Sequence, residues 1–269
     1  MQGLYLYCLR ERAGGCLAVS ANGIDGKGEV LTFPFRDLEA VVSSVSLQEF
    51  DSAEIQRKAQ DDLCWIKEKS ITHEKVIEQA MRQNGEVLSV IPMRFGTIFK
   101  DKPSLEGVLD KEYLKIEDTL ERIRGKQEWS VKVYLIEREQ FEQTVKEGSE
   151  SVKEKEEEVA SLPEGMAFFM EEELKEIIAK EARKKLSDFV TGLFDRLAKH
   201  SAASVKNRIL QKELTGKREP MVLNSAHLVH EKETGNFIAE IGDLKREIRA
   251  RGFCLEYSGP WPAYSFTSL

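Results

Sequence analysis

The residues able to do chemistry are few, and their spacing does not favour it. His227 and His230 form an H-x-x-H pair. On a helix that spacing puts two imidazoles on one face and suits a zinc-ligand pair. The surrounding residues, 221–230, are instead apolar and β-branched and predict a strand, where side chains alternate. The two rings then face opposite ways, one on each side of a sheet, and share no metal. His73 falls on the apolar face of a helical pattern. It reads either as a general base or, preferably, as a core or interdomain histidine hydrogen-bonded to a backbone or carboxylate group. Arg94 follows Pro92 in an apolar stretch. Buried alone it would cost several kcal/mol. It is therefore an exposed site for an anion or partner carboxylate, or half of a buried ion pair, the second reading being preferred. Gly96 could form a bulge or allow a close backbone approach.

The remaining candidates are weaker. Gly14-Gly15 and the glycines of 23–28 match neither G-x-x-x-x-G-K-[ST] nor G-x-G-x-x-G and read as turn residues. Cys8, Cys16, Cys64 and Cys254 lack metal-type spacing and are expected as reduced thiols. Cys64, beside Trp65 in a helical pattern, reads as core. No Ser-His-Asp or Cys-His arrangement stands out. No catalytic residue, metal ligand or cofactor is therefore assigned, and an enzyme is not expected.

The elements that would position these residues follow from periodicity. In the 269 residues, 41% are hydrophobic and 32% charged, enough for a sizeable core. The net charge of −7 and pI near 5.4 argue against nucleic acid as a partner. No apolar run reaches membrane-span length, and no signal peptide is visible at the N-terminus. Strands are expected at 4–9, 29–33 and 38–45. One long helix is expected over 52–82, a kinked strand over 87–99, and a second helix over 103–124 ended by Gly125. A further strand covers 129–136. Residues 146–158 are a charged helix or linker. One or two long helices fill 165–199, strands cover 202–210 and 221–230, a helix 236–251 and a last strand 253–258. This is an α+β chain. Its second half reads strand–helices–strand–strand–helix–strand, the ferredoxin-like order with extra helices in the first crossover. The boundary is placed near 125–128, giving an α+β domain at 1–126 and a modified ferredoxin-like domain at 127–269 with its insertion at about 160–200.

Four segments then stand out in order: Leu4-Tyr-Leu-Tyr7, Ile91-Pro-Met-Arg-Phe-Gly-Thr-Ile98, Glu219-Pro-Met-Val-Leu-Asn-Ser-Ala-His-Leu-Val229 and Gly259-Pro-Trp-Pro-Ala-Tyr-Ser-Phe266. Together they span nearly the whole chain and resemble the gas vesicle protein F/L family. The resemblance implies two domains, the second ferredoxin-like with a helical insertion. It implies a non-enzymatic assembly protein or minor structural component that contacts the small hydrophobic shell protein and other accessory vesicle proteins. It places the chain in the cytoplasm and on the gas vesicle, with the gas-facing shell surface as one location. Membrane and nucleic acid are not among its partners. Arg94, Phe95, Gly96, Asn224, Trp261 and Tyr264 become the candidate partner-binding or structural-signature residues. Trp261 is expected as a clamp on the protein's own surface or an anchor on a partner. The helices of 165–199 exceed what a ferredoxin-like core needs and are the first expected partner surface. The alternative is a small-molecule-binding regulator or enzyme on a ferredoxin-like scaffold.

Overall fold

The computed structural model describes residues 1–12, 22–50, 52–83, 86–161 and 163–267. Gly14, Gly15 and Cys16 lie outside them. The chain packs as two compact units: unit 1 is Met1–Glu128 with Gly259–Leu269, and unit 2 is Trp129–Ser258. The last residues thus group with the first unit, whereas the sequence reading assigned them to the second half.

Unit 1 contains β1 (Gln2–Glu11), β2 (Val30–Phe35), β3 (Leu38–Ser46), α1 (Ser52–Asp61), α2 (Leu63–Ala80), the short pair β4 (Arg82–Gln83) and β5 (Glu86–Val87), β6 (Val90–Pro92), β7 (Ile98–Phe99), α3 (Lys102–Lys111) and α4 (Tyr113–Ile123). Its main sheet has the order β2-β3-β1-β6, with β7 also on β1. β1 is central and buried on both faces, which its near-continuous apolar run requires. A register shift between Leu6 and Cys8 interrupts its pairing with β3. Tyr5, Tyr7 and Cys8 pack with Val76, Ile77 and Ala80 of α2. Leu6 and Leu9 line a cleft with Leu105 and Leu109 of α3 and Ile116 of α4.

Four expectations need correction here. The helix over 52–82 is broken at Asp62, whose carboxylate accepts from the Trp65 N–H at 2.9 Å and caps α2. That cap puts Cys64 in an exposed first turn, so Cys64 is not a core residue. The helix over 103–124 is two helices meeting at Glu112, the first started by an Asp101–Ser104 capping box with Pro103 inside the first turn. The kinked strand over 87–99 is two short strands, β6 and β7, separated by a turn.

Unit 2 carries β8 (Lys126–Leu135), whose first residues belong to unit 1, then α5 (Arg138–Gly148), α6 (Glu150–Ala160), α7 (Glu164–Ala198), β9 (Ala203–Lys206), α8 (Lys212–Thr215), β10 (Met221–His230), α9 (Thr234–Arg249) and β11 (Phe253–Trp261). The charged stretch at 146–158 is helical. The sheet order is β11-β8-β10-β9. With α5–α7 between β8 and β9, a short connection to β10, and α9 before β11, this is the ferredoxin-like arrangement. Val131, Val133, Leu223 and Val229 meet Leu193 and Leu197 of α7 and Phe237, Ile241, Leu244 and Ile248 of α9. The i, i+4, i+7, i+11 spacing on α9 is an unbroken apolar stripe. β11 runs on to Trp261 and does not turn at Ser258, as the sequence reading had it. No helix among the described residues is long and apolar enough to cross a membrane.

Candidate partner-binding site

The segment Arg94–Thr97 is a tight turn. The Thr97 N–H and hydroxyl both donate to the Arg94 carbonyl, at 3.2 and 2.7 Å. Gly96, at the third position, has φ of +83°, a conformation that favours glycine and that type II turns place there. The turn sends its side chains in opposite directions. Phe95 points inward, its ring 5.9 Å from His73, 6.3 Å from Tyr5 and 6.4 Å from Trp65. Arg94 points outward and is exposed. No carboxylate among the described residues pairs with it, so the preferred reading of Arg94 as half of a buried ion pair is overturned.

A hydrogen-bond relay holds this turn. The Gly96 N–H donates to the Tyr5 hydroxyl at 3.1 Å. That hydroxyl lies 2.9 Å from His73 Nδ1, and His73 Nε2 lies 3.1 Å from the Met93 carbonyl. A carbonyl only accepts, so Nε2 carries the proton and Nδ1 accepts from Tyr5. The ring must stay neutral. Burial lowers its pKa to about 4, against the opposing pull of the Met93 carbonyl. His73 is a structural residue with both nitrogens engaged.

On the outer side, the turn borders a cleft of about 240 Å³. Leu6 and Leu9 of β1, Phe99 of β7, Leu105 and Leu109 of α3 and Ile116 of α4 form its apolar walls, while Arg94, Glu112 and Thr267 supply polar atoms. Glu112 has Lys111 3.9 Å away.

The other signature residues lie away from this turn in sequence. Trp261 and Pro260 line a shallow depression with Glu78, Met81, Arg82 and Val87, all in unit 1. The Tyr264 hydroxyl donates to Glu74 Oε2 at 2.8 Å. Ser265 gives Glu128 two bonds of 2.8 Å, from its N–H and its hydroxyl. Burial raises the pKa of both carboxyls; Tyr264 partly counters this at Glu74 and Ser265 at Glu128. Asn224 is in unit 2, away from the turn in sequence and in unit. Its Nδ2 donates to the Arg208 carbonyl at 2.8 Å, and its own carbonyl accepts from the Asn207 N–H. It pins the 207–220 segment.

Two features were missed in the sequence. The buried ion pair of unit 1 is Arg10 with Glu39: Arg10 Nε reaches Glu39 Oε1 at 2.6 Å and Nη1 donates to the Ala80 carbonyl at 2.6 Å. The two residues face each other across β1 and β3, so the signal was a strand register and not a motif. In unit 2, His227 is fully buried with Ser204 Oγ 2.9 Å from Nδ1 and Ser225 Oγ 3.0 Å from Nε2. Burial lowers its pKa to about 4.

Comparison with known proteins completes the picture. The family model described as "Gas vesicle synthesis protein GvpL/GvpF" matches residues 3–268. The chain belongs to the GvpL/GvpF family. It is 26% identical to gas vesicle protein L of Streptomyces sp. (strain CB03234), over 98% of this chain and 92% of that one. It is 24% identical to gas vesicle protein F1 of Halobacterium salinarum, over 100% of this chain and 94% of that one. Its fold is that of the crystal structure of GvpF from Anabaena sp. PCC7120, with a TM-score of 0.77 at 17% identity covering 100% and 99% of the two chains. GvpF from Microcystis aeruginosa gives 0.68 at 18% identity, covering 99% of each. Membership of the GvpL/GvpF family gives the chain a gas vesicle role. Within that setting, the signature Arg94-Phe-Gly is one turn with an inward aromatic, a left-handed glycine and an outward cation at the mouth of the cleft.

Proposed function

We propose that this chain is a non-enzymatic gas vesicle assembly protein or minor structural component that binds the hydrophobic shell protein and other accessory vesicle proteins while the vesicle forms. The observation that carries the reading is the apolar cleft of unit 1, flanked by Arg94, which has no carboxylate partner among the described residues, in a member of the GvpL/GvpF family. Open apolar surface of this kind marks sites of protein contact. The non-enzymatic part rests on the two buried imidazoles. His73 and His227 are 5% and 0% exposed, with each ring nitrogen held by a partner inside the protein, so neither imidazole is presented to a substrate. The reading places the chain in the cytoplasm and on the gas vesicle, with the gas-facing shell surface as one location. Its acidic balance speaks against nucleic acid as a partner.

The test is deletion of the gene in a gas-vesicle-forming host, combined with pairwise co-purification against every other vesicle protein and immunolabelling of opened vesicles. Loss of vesicles and retention of the shell protein are expected. Normal vesicles in the deletion strain, or a folded protein that retains no vesicle protein, would sink the reading.

A further inference from the structure

We propose that the unit 1 cleft takes one bulky aliphatic side chain of a partner polypeptide, with a partner carboxylate seated on Arg94. This rests on reading the chain as a protein that binds other vesicle polypeptides, and it names the chemistry of that contact.

Size favours a side chain over a cofactor. The cleft holds about 240 Å³, below the roughly 300–1,000 Å³ of most small-molecule sites. A long acyl chain would not fit. The walls are aliphatic and aromatic, from β1, β7, α3 and α4, and Val108 at their edge is 45% exposed. Such a lining gains from burying an aliphatic group and offers little to a polar one.

Charge sets the second half of the recognition. Glu112 is the only carboxylate among the lining residues named for the cleft, and Lys111 offsets it at 3.9 Å. Arg94 has no carboxylate partner among the described residues. A guanidinium beside an apolar cleft is a ready bidentate donor to a carboxylate, and partial desolvation strengthens that bond. The backbone under Arg94 is already fixed by the relay from Gly96 through Tyr5 and His73 to the Met93 carbonyl. Little ordering of the turn remains to be done on binding. One cation beside an aliphatic slot is thus complementary to a segment with adjacent aliphatic and acidic residues.

The test uses the full chain and capped synthetic peptides with adjacent leucine and aspartate, followed by NMR shift perturbation. Shifts should map to the cleft lining and weaken with salt. Replacing the peptide aspartate by asparagine, or Arg94→Gln, should weaken binding about tenfold or more, as loss of a charge-assisted bond does. Arg94→Glu should favour a peptide with lysine in place of aspartate. Val108→Trp, at an exposed position, should block entry without unfolding the chain, as amide dispersion will show. Shifts outside the cleft, no perturbation of the cleft, or equal binding by Arg94→Glu would overturn the proposal. Cleft shifts that depend on protein concentration alone would make a second copy the occupant and overturn it too. Retention of full-length shell protein by the wild type but equally by Arg94→Glu and Val108→Trp would overturn the cleft assignment while leaving the assembly reading intact. No retention by the wild type would strike at the assembly reading alone.

Discussion

Each unit has a surface depression between covering elements, and the two differ in what they leave unsatisfied. In unit 2 the depression lies between α7 and α9, where Arg196 reaches Glu240 at 2.8 Å and Glu247 at 2.6 Å. Two of its cations, Arg196 and Arg251, are matched from α9. In unit 1 the depression lies between the sheet and the α3–α4 pair, is mostly apolar, and has Arg94 uncompensated at its edge. The cause is in the helices. α9 presents one unbroken apolar stripe and α7 runs for 35 residues, and both bury apolar side chains on the unit 2 sheet. The helix over the outer face of unit 1 breaks at Glu112, and Val108, Glu112 and Ile116 around that break line the cleft. In unit 1 the helix break sits at the open seam, and Arg94 beside it has no carboxylate partner among the described residues.

The largest expected way to separate the units is Glu39→Ala. It strands Arg10, which is 1% exposed, and loss of one partner of a buried pair costs about 3–5 kcal/mol. Hydrogen exchange read by mass spectrometry should show unit 1 opening far more readily while unit 2 keeps its protection. Equal loss in both units would mean that they do not unfold separately.

Acid should sharpen the contrast next. Each buried histidine has a folded pKa near 4 against 6.5 for a free ring. The unfolded chain then binds more protons between those values, so the contribution is full above pH 6.5, falls as pH drops and is gone below about 4. The linkage is worth about 3 kcal/mol for each ring, to order of magnitude. In unit 1, Glu74 and Glu128 have raised pKa values, so their contribution has the opposite sign: it is present at low pH and lost as pH rises through the folded value. Unit 1 should therefore weaken less than unit 2 from pH 6.5 to 4. His227→Gln should flatten the unit 2 profile alone, as denaturation at stepped pH will reveal.

Asn224→Ala is expected to cost unit 2 about 1–3 kcal/mol, since it removes the Nδ2 bond to the Arg208 carbonyl and truncates a buried side chain. Faster exchange confined to 207–220 and its strand would confirm a pinning role, whereas loss of partner binding at unchanged stability would make Asn224 a contact residue. The smallest effect is Gly96→Ala. No atom blocks the added methyl closer than 3.5 Å, so the cost is the left-handed backbone alone, about 1–2 kcal/mol. Unit 1 should show it as a modest fall in Tm, and unit 2 should not.

Legibility from sequence followed the range of the interaction. β10 and α9 were readable because a short apolar-rich run and an unbroken stripe are local signals. The breaks at Asp62 and Glu112 were not, because the apolar spacing continues in phase across both. Only the Asp62 carboxylate, which captures the Trp65 N–H, gave a local hint at the first. The motif around Arg94 was visible, yet its role was misjudged. Arg94, two residues after Pro92, read as half of a buried ion pair, whereas the buried pair Arg10 and Glu39 is made by cross-strand register. Asn224, Trp261 and Tyr264 were recognisable as signature residues, but what each one holds lies far away in the chain.

The pairing of Ser265 with Glu128 has a consequence for the order of events on the ribosome. Strands β1 to β7 are made first, yet Glu128 waits with its buried position unfilled while all of unit 2 is translated. Thr267, which lines the cleft, is made later still. Unit 1 is thus finished only by residues that follow unit 2 in the chain, which supply both the cap on Glu128 and one edge of the cleft.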